Sequence, residues 1–73
     1  MPKLLNPRQI IKVLEKRGFV FISQKGSHVK YRKITKTEII TVIIPIHSKE
    51  IPIGIFKSIL RQSRLTEEDF KKK

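Results

Sequence analysis

The sequence predicts an α+β fold with the element order α-β-β-β-α, in which a three-stranded antiparallel sheet carries both helices on one face. Apolar residues recur at helical spacing near both ends of the chain, and three β-rich segments joined by short polar turns lie between them. A chain of 73 residues has room for one domain. We therefore expect a single domain over residues 1–73, with a core of about residues 5–70 and a basic tail at 71–73.

The first helix has start and stop signals in the sequence. Asn6 is a favourable N-cap, Pro7 suits the first helical position, and Gln9 stands three residues after the cap, as a capping box requires. Gly18 supplies a C-terminal stop, because glycine adopts the left-handed conformation that often ends a helix. These signals predict a helix that begins at Pro7 and ends before Gly18.

Three strands are predicted between the helices. Residues 19–24 are rich in β-branched and aromatic side chains, and residues 28–34 alternate between apolar and polar positions. Residues 39–44 are almost entirely apolar, so we expect this strand to be central or well covered. Polar turns at 25–27 and 35–38 join the strands, which predicts an antiparallel meander.

The alternation in the second strand decides which face each side chain occupies. Val29 and Tyr31 share one face, and the opposite face carries His28, Lys30 and Arg32. The helices need a sheet face against which to bury their apolar stripes, so the apolar pair is expected beneath them. His28 is then expected on the open face, among cations and beside a turn.

The last third of the chain predicts a loop and two helical segments. Residues 45–54 contain two prolines and are expected to form a loop, and residues 55–63 are expected to form a helix. The buried stripe of that helix is predicted to be Ile55, Phe56, Ile59 and Leu60. A short helical turn follows at 66–70, from which Phe70 can pack against the core.

The charge balance indicates an anionic partner. There are 17 lysines and arginines against 6 acidic residues, a net charge of +11, and nucleic acid is the commonest polyanion that such a surface binds. A membrane surface or another anionic partner is the alternative. Disulfides and thiolate metal sites are excluded because there is no cysteine. No apolar run is long enough to suggest a signal peptide or a membrane span, so we expect a cytoplasmic protein without a membrane partner.

Most catalytic classes find no support in the sequence. The carboxylates are scattered or adjacent on one helix, and the three glycines are too isolated to form a phosphate-binding loop. Two histidines without a nearby carboxylate make a poor metal site. Ser27 and His28 are neighbours whose side chains are expected to face opposite ways, so they are not a nucleophile and base pair. We expect no metal and no cofactor.

The catalytic class that remains is histidine chemistry on RNA without a metal. RNA carries its own nucleophile, the 2′-OH, so cleavage requires a base or an acid, together with cations that balance the charge developing on the phosphate. His28 is the candidate catalytic residue, as base or as acid, because imidazole exchanges a proton near neutral pH. Gly26 would allow close backbone approach to the phosphate. The candidate RNA-binding residues are Lys25, Gly26, Ser27, Lys30 and Arg32, with Lys33 and Arg61 as weaker candidates.

The same residues also have plainer interpretations. A single histidine on a strand is more often structural than catalytic, and His47, in a loop between prolines, is more typical of a turn or packing residue. Tyr31 is more typical of a core residue than of a platform on which a base stacks. The basic row that contains Arg61 is more often a solvated helix face than a binding groove. From the residues alone, a small RNA-binding module is therefore the primary interpretation.

Four segments in order resemble one known family. They are RGF (17–19), QKGSHVKYR (24–32), VIIPIHSKEIPIG (42–54) and KSILRQSRLTEEDF (57–70). Together they resemble the HicA-type mRNA interferase toxins, also called YcfA-like, over roughly residues 5–70. The order and spacing of the set carry the resemblance, since GSH alone would be a weak signal.

The resemblance implies both a fold and an activity. The fold would be like that of a double-stranded RNA-binding domain, and the activity would be endoribonuclease cleavage of mRNA. The family's catalytic histidine matches His28, and its second recurrent histidine matches His47, in a structural or accessory role. The implied partners are single-stranded mRNA and a HicB-type antitoxin that covers the active surface. Ser23 stands where the family often has an arginine, which affects one expected phosphate contact.

Three functions follow as hypotheses. The first is a metal-independent endoribonuclease toxin that uses His28. The second is a non-catalytic RNA-binding module of the same fold. The third is an interaction protein whose basic face docks an acidic partner.

Overall fold

The chain forms three helices and a three-stranded sheet in the computed structural model, which describes residues 5–47 and 49–71. The helices are α1 (Pro7–Lys16), α2 (Ile53–Ser63) and α3 (Glu67–Lys71). The strands are β1 (Val20–Lys25), β2 (His28–Ile34) and β3 (Ile39–Pro45), in the spatial order β1-β2-β3 with both pairs antiparallel. The predicted α+β fold and its element order are confirmed.

Helix α1 begins and ends where its signals predict. The Asn6 side chain accepts a hydrogen bond from the Gln9 backbone N–H at 2.8 Å, and the Gln9 side chain accepts one from the Asn6 N–H at 2.9 Å. This capping box satisfies N–H groups that the first turn cannot pair internally. The chain leaves the helix through Gly18, whose φ of +97° favours glycine.

One face of the sheet forms the core beneath the helices. On β2, Val29 and Tyr31 are buried, whereas His28 is exposed and Lys30 and Arg32 are half-buried on the opposite face, which confirms the predicted alternation. The buried cluster also takes in residues from the helices, the loop before α2 and β3. Its members are Ile10, Leu14, Phe19, Val29, Tyr31, Ile40, Val42, Ile44, Ile51, Ile59 and Phe70.

The most apolar strand, β3, is an edge strand and not a central one. Its core-facing side chains are fully or almost fully buried, so the expectation that it is well covered holds for that face. The side chain of Gln62 in α2 also accepts a hydrogen bond from the outward Ile43 N–H at 3.1 Å. Helix α2 therefore supplies a hydrogen-bond acceptor for one of the backbone N–H groups that an edge strand leaves unpaired.

The predicted stripe of α2 is wrong at one residue. Ile55 is 41% exposed, and the helix begins at Ile53, two residues earlier than expected. Phe56, Ile59 and Ser63 follow the 3.6-residue period that faces the sheet, with Ile59 and Ser63 buried and Phe56 half-buried. Ile55 lies about 100° around the helix from Phe56, which turns its side chain towards water.

Strand β1 is exposed along its length and contains a bulge. Its register against β2 shifts between Phe21 and Ser23, so one extra residue is accommodated there. As a result, Phe21 lies opposite Tyr31, with the two rings edge to face at 5.9 Å. Beyond the bulge, Ser23 lies opposite Lys30 on the open face.

Helix α3 closes the core, as predicted for Phe70. That residue is buried, and its ring meets Phe56 edge to face at 5.3 Å. Lys71 is the last residue of α3, and residues 72–73 of the predicted basic tail lie outside the described residues. Within the described ranges, no helix has the length and apolar character needed to cross a membrane.

Asp69 ties α3 to α1 and should make stability depend on acid pH. Hydrogen bonds from Thr66, together with an ion pair to Arg17 at 2.7 Å, hold the pKa of Asp69 below its usual value of 3.8. A lowered native pKa stabilises the fold above that value, and the contribution is lost as pH falls through the native pKa. We expect the melting temperature to fall less on acidification below pH 3.8 in Asp69→Asn than in the wild type. Glu68→Gln is the matched control, and equal acid sensitivity of Asp69→Asn and the wild type would contradict the assignment.

Candidate nucleic-acid interface

The hairpin between β1 and β2 places His28 at the start of its strand. Gly26 and Ser27 form a two-residue turn between the paired residues Lys25 and His28. Gly26 has a φ of +59° and Ser27 does not have a positive φ, which is the pattern of a type II′ turn with glycine at its first central position. The turn therefore fixes Lys25 and His28 side by side on the open face.

Gly26→Ala should destabilise the hairpin through its backbone. A Cβ at Gly26 would meet nothing within 4 Å, so steric crowding within the chain does not oppose the substitution. The positive φ does oppose it, at a cost of about 1–2 kcal/mol. We expect that loss in the free energy of unfolding measured by urea denaturation. Gly54→Ala, which also meets open space but has no positive φ, is the matched control, and equal stabilities of the two variants would contradict this account.

His28 lies at a cavity on the open face of the sheet. The cavity has a volume of about 350 Å³, and Lys25 from β1 and Lys30 from β2 line it beside His28. The other lining residues are Ser23, Val29 and Ile43. Two lysines and no carboxylate line the cavity, so its electrostatics favour an anion. Three of the sequence candidates, Lys25, His28 and Lys30, therefore converge at one place.

Three other candidate cations do not line this cavity. Arg32 lies on the open face further along β2, where its Nε donates to the Thr41 hydroxyl at 3.3 Å. Lys33 points to the helix face, and its Nζ lies 5.9 Å from the centre of the Phe19 ring. Arg61 is exposed on α2. Arg32 therefore shares the open face with the cavity, whereas Lys33 is separated from the cavity by the sheet.

Tyr31 belongs to the core and not to the open face. It is buried, and its hydroxyl donates to the Glu15 carboxylate at 3.2 Å. Burial raises the pKa of Tyr31, and the neighbouring Glu15 adds to the effect. The phenol therefore stays protonated and links β2 to α1.

His47 comes close to His28, a proximity that the sequence reasoning missed. The two ring centres are 6.3 Å apart with the ring planes at 58°, and both residues are exposed. The register between β2 and β3 pairs Ile34 with Ile39 and His28 with Pro45, so residues just after Pro45 emerge beside His28. That register follows from the four-residue turn at 35–38, which was the available signal.

The charged and polar groups at the cavity suit an anionic ligand and proton transfer. Imidazole can give or take a proton near neutral pH, and lysines can balance negative charge on a phosphate. Neither histidine makes a hydrogen bond to another of the described residues, so both are available to a ligand. The described part of the chain contains no group of three or more histidine or acidic side chains placed to hold a metal ion.

Comparison with known families gives one match. The family model described as the HicA toxin of bacterial toxin-antitoxin systems matches residues 7–65, which is more than half of the chain. A search of curated proteins finds no match. The matched region runs from the first residue of α1 to just beyond α2 and includes the cavity and both histidines.

Proposed function

Because the chain belongs to the HicA family of toxins from bacterial toxin-antitoxin systems, we propose that it is an endoribonuclease that cleaves mRNA without a metal ion. His28 is the catalytic residue, and Lys25 and Lys30 bind the phosphates on either side of it. The convergence of these three side chains on one cavity is the observation that carries the proposal.

The proposed reaction uses the substrate's own nucleophile. A base removes the proton of a 2′-OH, the 2′-oxygen attacks phosphorus, and the bond to the 5′-oxygen breaks. Cations near the phosphate stabilise the charge that builds up on its oxygens during this step. Lys25 and Lys30 are placed for that role, while Gly26 and Ser27 offer backbone groups at the turn beside His28. The products are a 2′,3′-cyclic phosphate and a free 5′-hydroxyl.

The proposed partners follow from the charge and the family. Single-stranded mRNA in the cytoplasm is the substrate, since the open face is basic and accessible next to His28. A HicB-type antitoxin is the proposed inhibitor, which would act by covering that face. An antitoxin that blocks RNA access there needs acidic groups opposite Lys25 and Lys30.

Cleavage of a defined single-stranded RNA in excess EDTA tests the proposed activity. We expect the purified protein to cut the RNA and to leave a cyclic phosphate that mass spectrometry identifies. The control substrate carries a 2′-deoxy nucleotide at the mapped position, and it should resist cleavage there because the nucleophile is missing. RNA binding without cutting would instead indicate the non-catalytic RNA-binding module. Cutting of the deoxy substrate at the same bond would exclude attack by the 2′-oxygen.

Lys30→Gln should weaken RNA binding through the loss of one phosphate contact. For single-stranded nucleic acid, each contact contributes about 0.7 to the slope of log affinity against log salt. We expect the variant to bind less tightly and to show a slope smaller by about that amount. Lys12→Gln removes the same charge from the exposed side of α1 and serves as the control. Equal losses of affinity in the two variants would show that net charge, and not the cavity, governs binding.

A further inference from the structure

The second histidine of the chain lies within reach of the same ligand as the first. The ring centres of His28 and His47 are 6.3 Å apart, and neither ring is buried. At that separation one phosphate group can contact both imidazoles, each through a hydrogen bond of about 2.6–3.2 Å. His28 and His47 are far apart in sequence, so only the pairing of β2 with β3 brings the two rings together.

Backbone contacts on both sides of His47 hold it near His28. Immediately before it, the Ile46 N–H donates to the Ser27 carbonyl at 2.7 Å and adds one more pair to the ladder between β2 and β3. Further along, Ile51 is buried and its N–H donates to the Leu5 carbonyl at 2.7 Å. The loop that carries His47 is therefore anchored at both ends, and its first anchor is the residue next to His28.

We propose that His47 is the second acid-base residue of the reaction and works as a pair with His28. This inference rests on the proposed ribonuclease function and identifies the second proton-transfer group that the proposed reaction needs. Cleavage of a phosphodiester requires two proton transfers, one from the attacking 2′-oxygen and one to the departing 5′-oxygen. One imidazole in the lining of the cavity and a second with its ring centre 6.3 Å from the first meet that requirement, and the lining adds two lysines and no carboxylate.

The proposed step balances without any further reactant. One neutral imidazole accepts the proton of the 2′-OH while the bond between O2′ and phosphorus forms. The other imidazole, protonated at the start, gives its proton to O5′ as the bond between phosphorus and O5′ breaks. Each histidine ends in the protonation state in which the other began, and proton exchange with water resets the pair. The charges of Lys25 and Lys30 oppose the negative charge that grows on the non-bridging oxygens.

His47→Gln tests the proposal on the full chain with RNA. We expect the cleavage rate to fall by about 10²–10⁴-fold while RNA affinity stays close to that of the wild type. The wild-type profile of log kcat/KM against pH should be bell-shaped, and the variant should lose one of its two limbs. Glu50→Gln, an exposed change in the same loop, is the matched control and should keep both the rate and the bell shape.

A substrate with a sulfur in place of the 5′-oxygen at the cleaved bond shows which histidine is the acid. Sulfur leaves as a thiolate without needing a proton, so it relieves the loss of a general acid but not of a general base. We expect this substrate to restore cleavage in only one of the two variants, His28→Ala or His47→Gln. Circular dichroism melts of both variants should match the wild type, because both side chains are exposed.

Several outcomes would overturn the pairing. A His47→Gln enzyme that cleaves within about threefold of the wild type would show that His47 takes no part in the chemistry. A slow variant that keeps both limbs of the pH profile, with neither variant rescued by sulfur, would make His47 a positioning residue. If the wild type cleaves and only His28→Ala is inactive, the pairing fails while the ribonuclease function stands. If the wild type does not cleave RNA, both fail together.

Discussion

Replacing His28 with alanine is expected to lower the rate of RNA cleavage by about 10²–10⁴-fold, because the substitution removes one proton-transfer group from the cavity. RNA affinity should change little, since Lys25 and Lys30, the proposed phosphate contacts, are left in place. Stability should also change little, because His28 is exposed and has no hydrogen bond to another described residue. Single-turnover cleavage, filter binding and thermal melts measure these three quantities separately.

The matched control for His28→Ala lies at the other end of the same strand. Ile34→Ala changes a side chain that is 74% exposed, about 20 Å from His28 along β2. It should cleave RNA at the wild-type rate. If His28→Ala also cleaved at that rate, then His28 would not be the catalyst, or a contaminating nuclease would be present. Joint loss of cleavage and binding would make His28 an RNA contact and not an acid-base group.

Ile44→Ala is expected to have the largest effect on stability. Ile44 is 0% exposed and lies opposite Val29 in the part of the sheet that supports His28. Truncating a fully buried isoleucine to alanine removes apolar contacts and leaves a cavity, which costs about 2–5 kcal/mol. Small domains have a free energy of unfolding of about 5–15 kcal/mol, so the loss from this one change is a large fraction of the total. Urea denaturation followed by circular dichroism gives the difference directly.

Ile39→Ala is the control for that experiment. It makes the same chemical change on the same strand, but Ile39 is 63% exposed. The free energy of unfolding should move by no more than about 0.5 kcal/mol. Similar losses in the two variants would show that the two faces of β3 are not buried differently, and the assignment of the open face would then be wrong.

Local sequence signals predicted the elements of this fold well. The capping signals at Asn6 and Gln9 predicted the start of α1, and alternation predicted which side chains of β2 are buried. These signals act between residues close in sequence, where backbone geometry alone decides which groups can meet. The misassignment of Ile55 had a different cause. The buried stripe of α2 includes the polar residue Ser63, so counting only apolar residues misses one of its members and includes Ile55 in its place.

The candidate site was only partly predictable. The turn at Gly26 and the alternation of β2 put Lys25, His28 and Lys30 together, and the structure brings those three to one cavity. Lys33 is close to these residues in sequence, yet it lies on the opposite face near Phe19. The same alternation that places Lys30 on the open face assigns Lys33 to the other face, because successive side chains of a strand point in opposite directions.

The family, the element order and the face on which His28 lies all follow from the amino-acid sequence, because each depends on motifs or on the spacing of neighbouring residues. Only the assembled structure shows that β3 is an edge strand, that a bulge in β1 places Phe21 opposite Tyr31, and that His47 stands 6.3 Å from His28. These features depend on strand order and on register, which bring together residues that are far apart in sequence. The turn at 35–38 indicates the register of β3 against β2, but the closeness of the two rings also depends on the path of the chain after Pro45, so the pairing of the two histidines becomes visible only in the assembled fold.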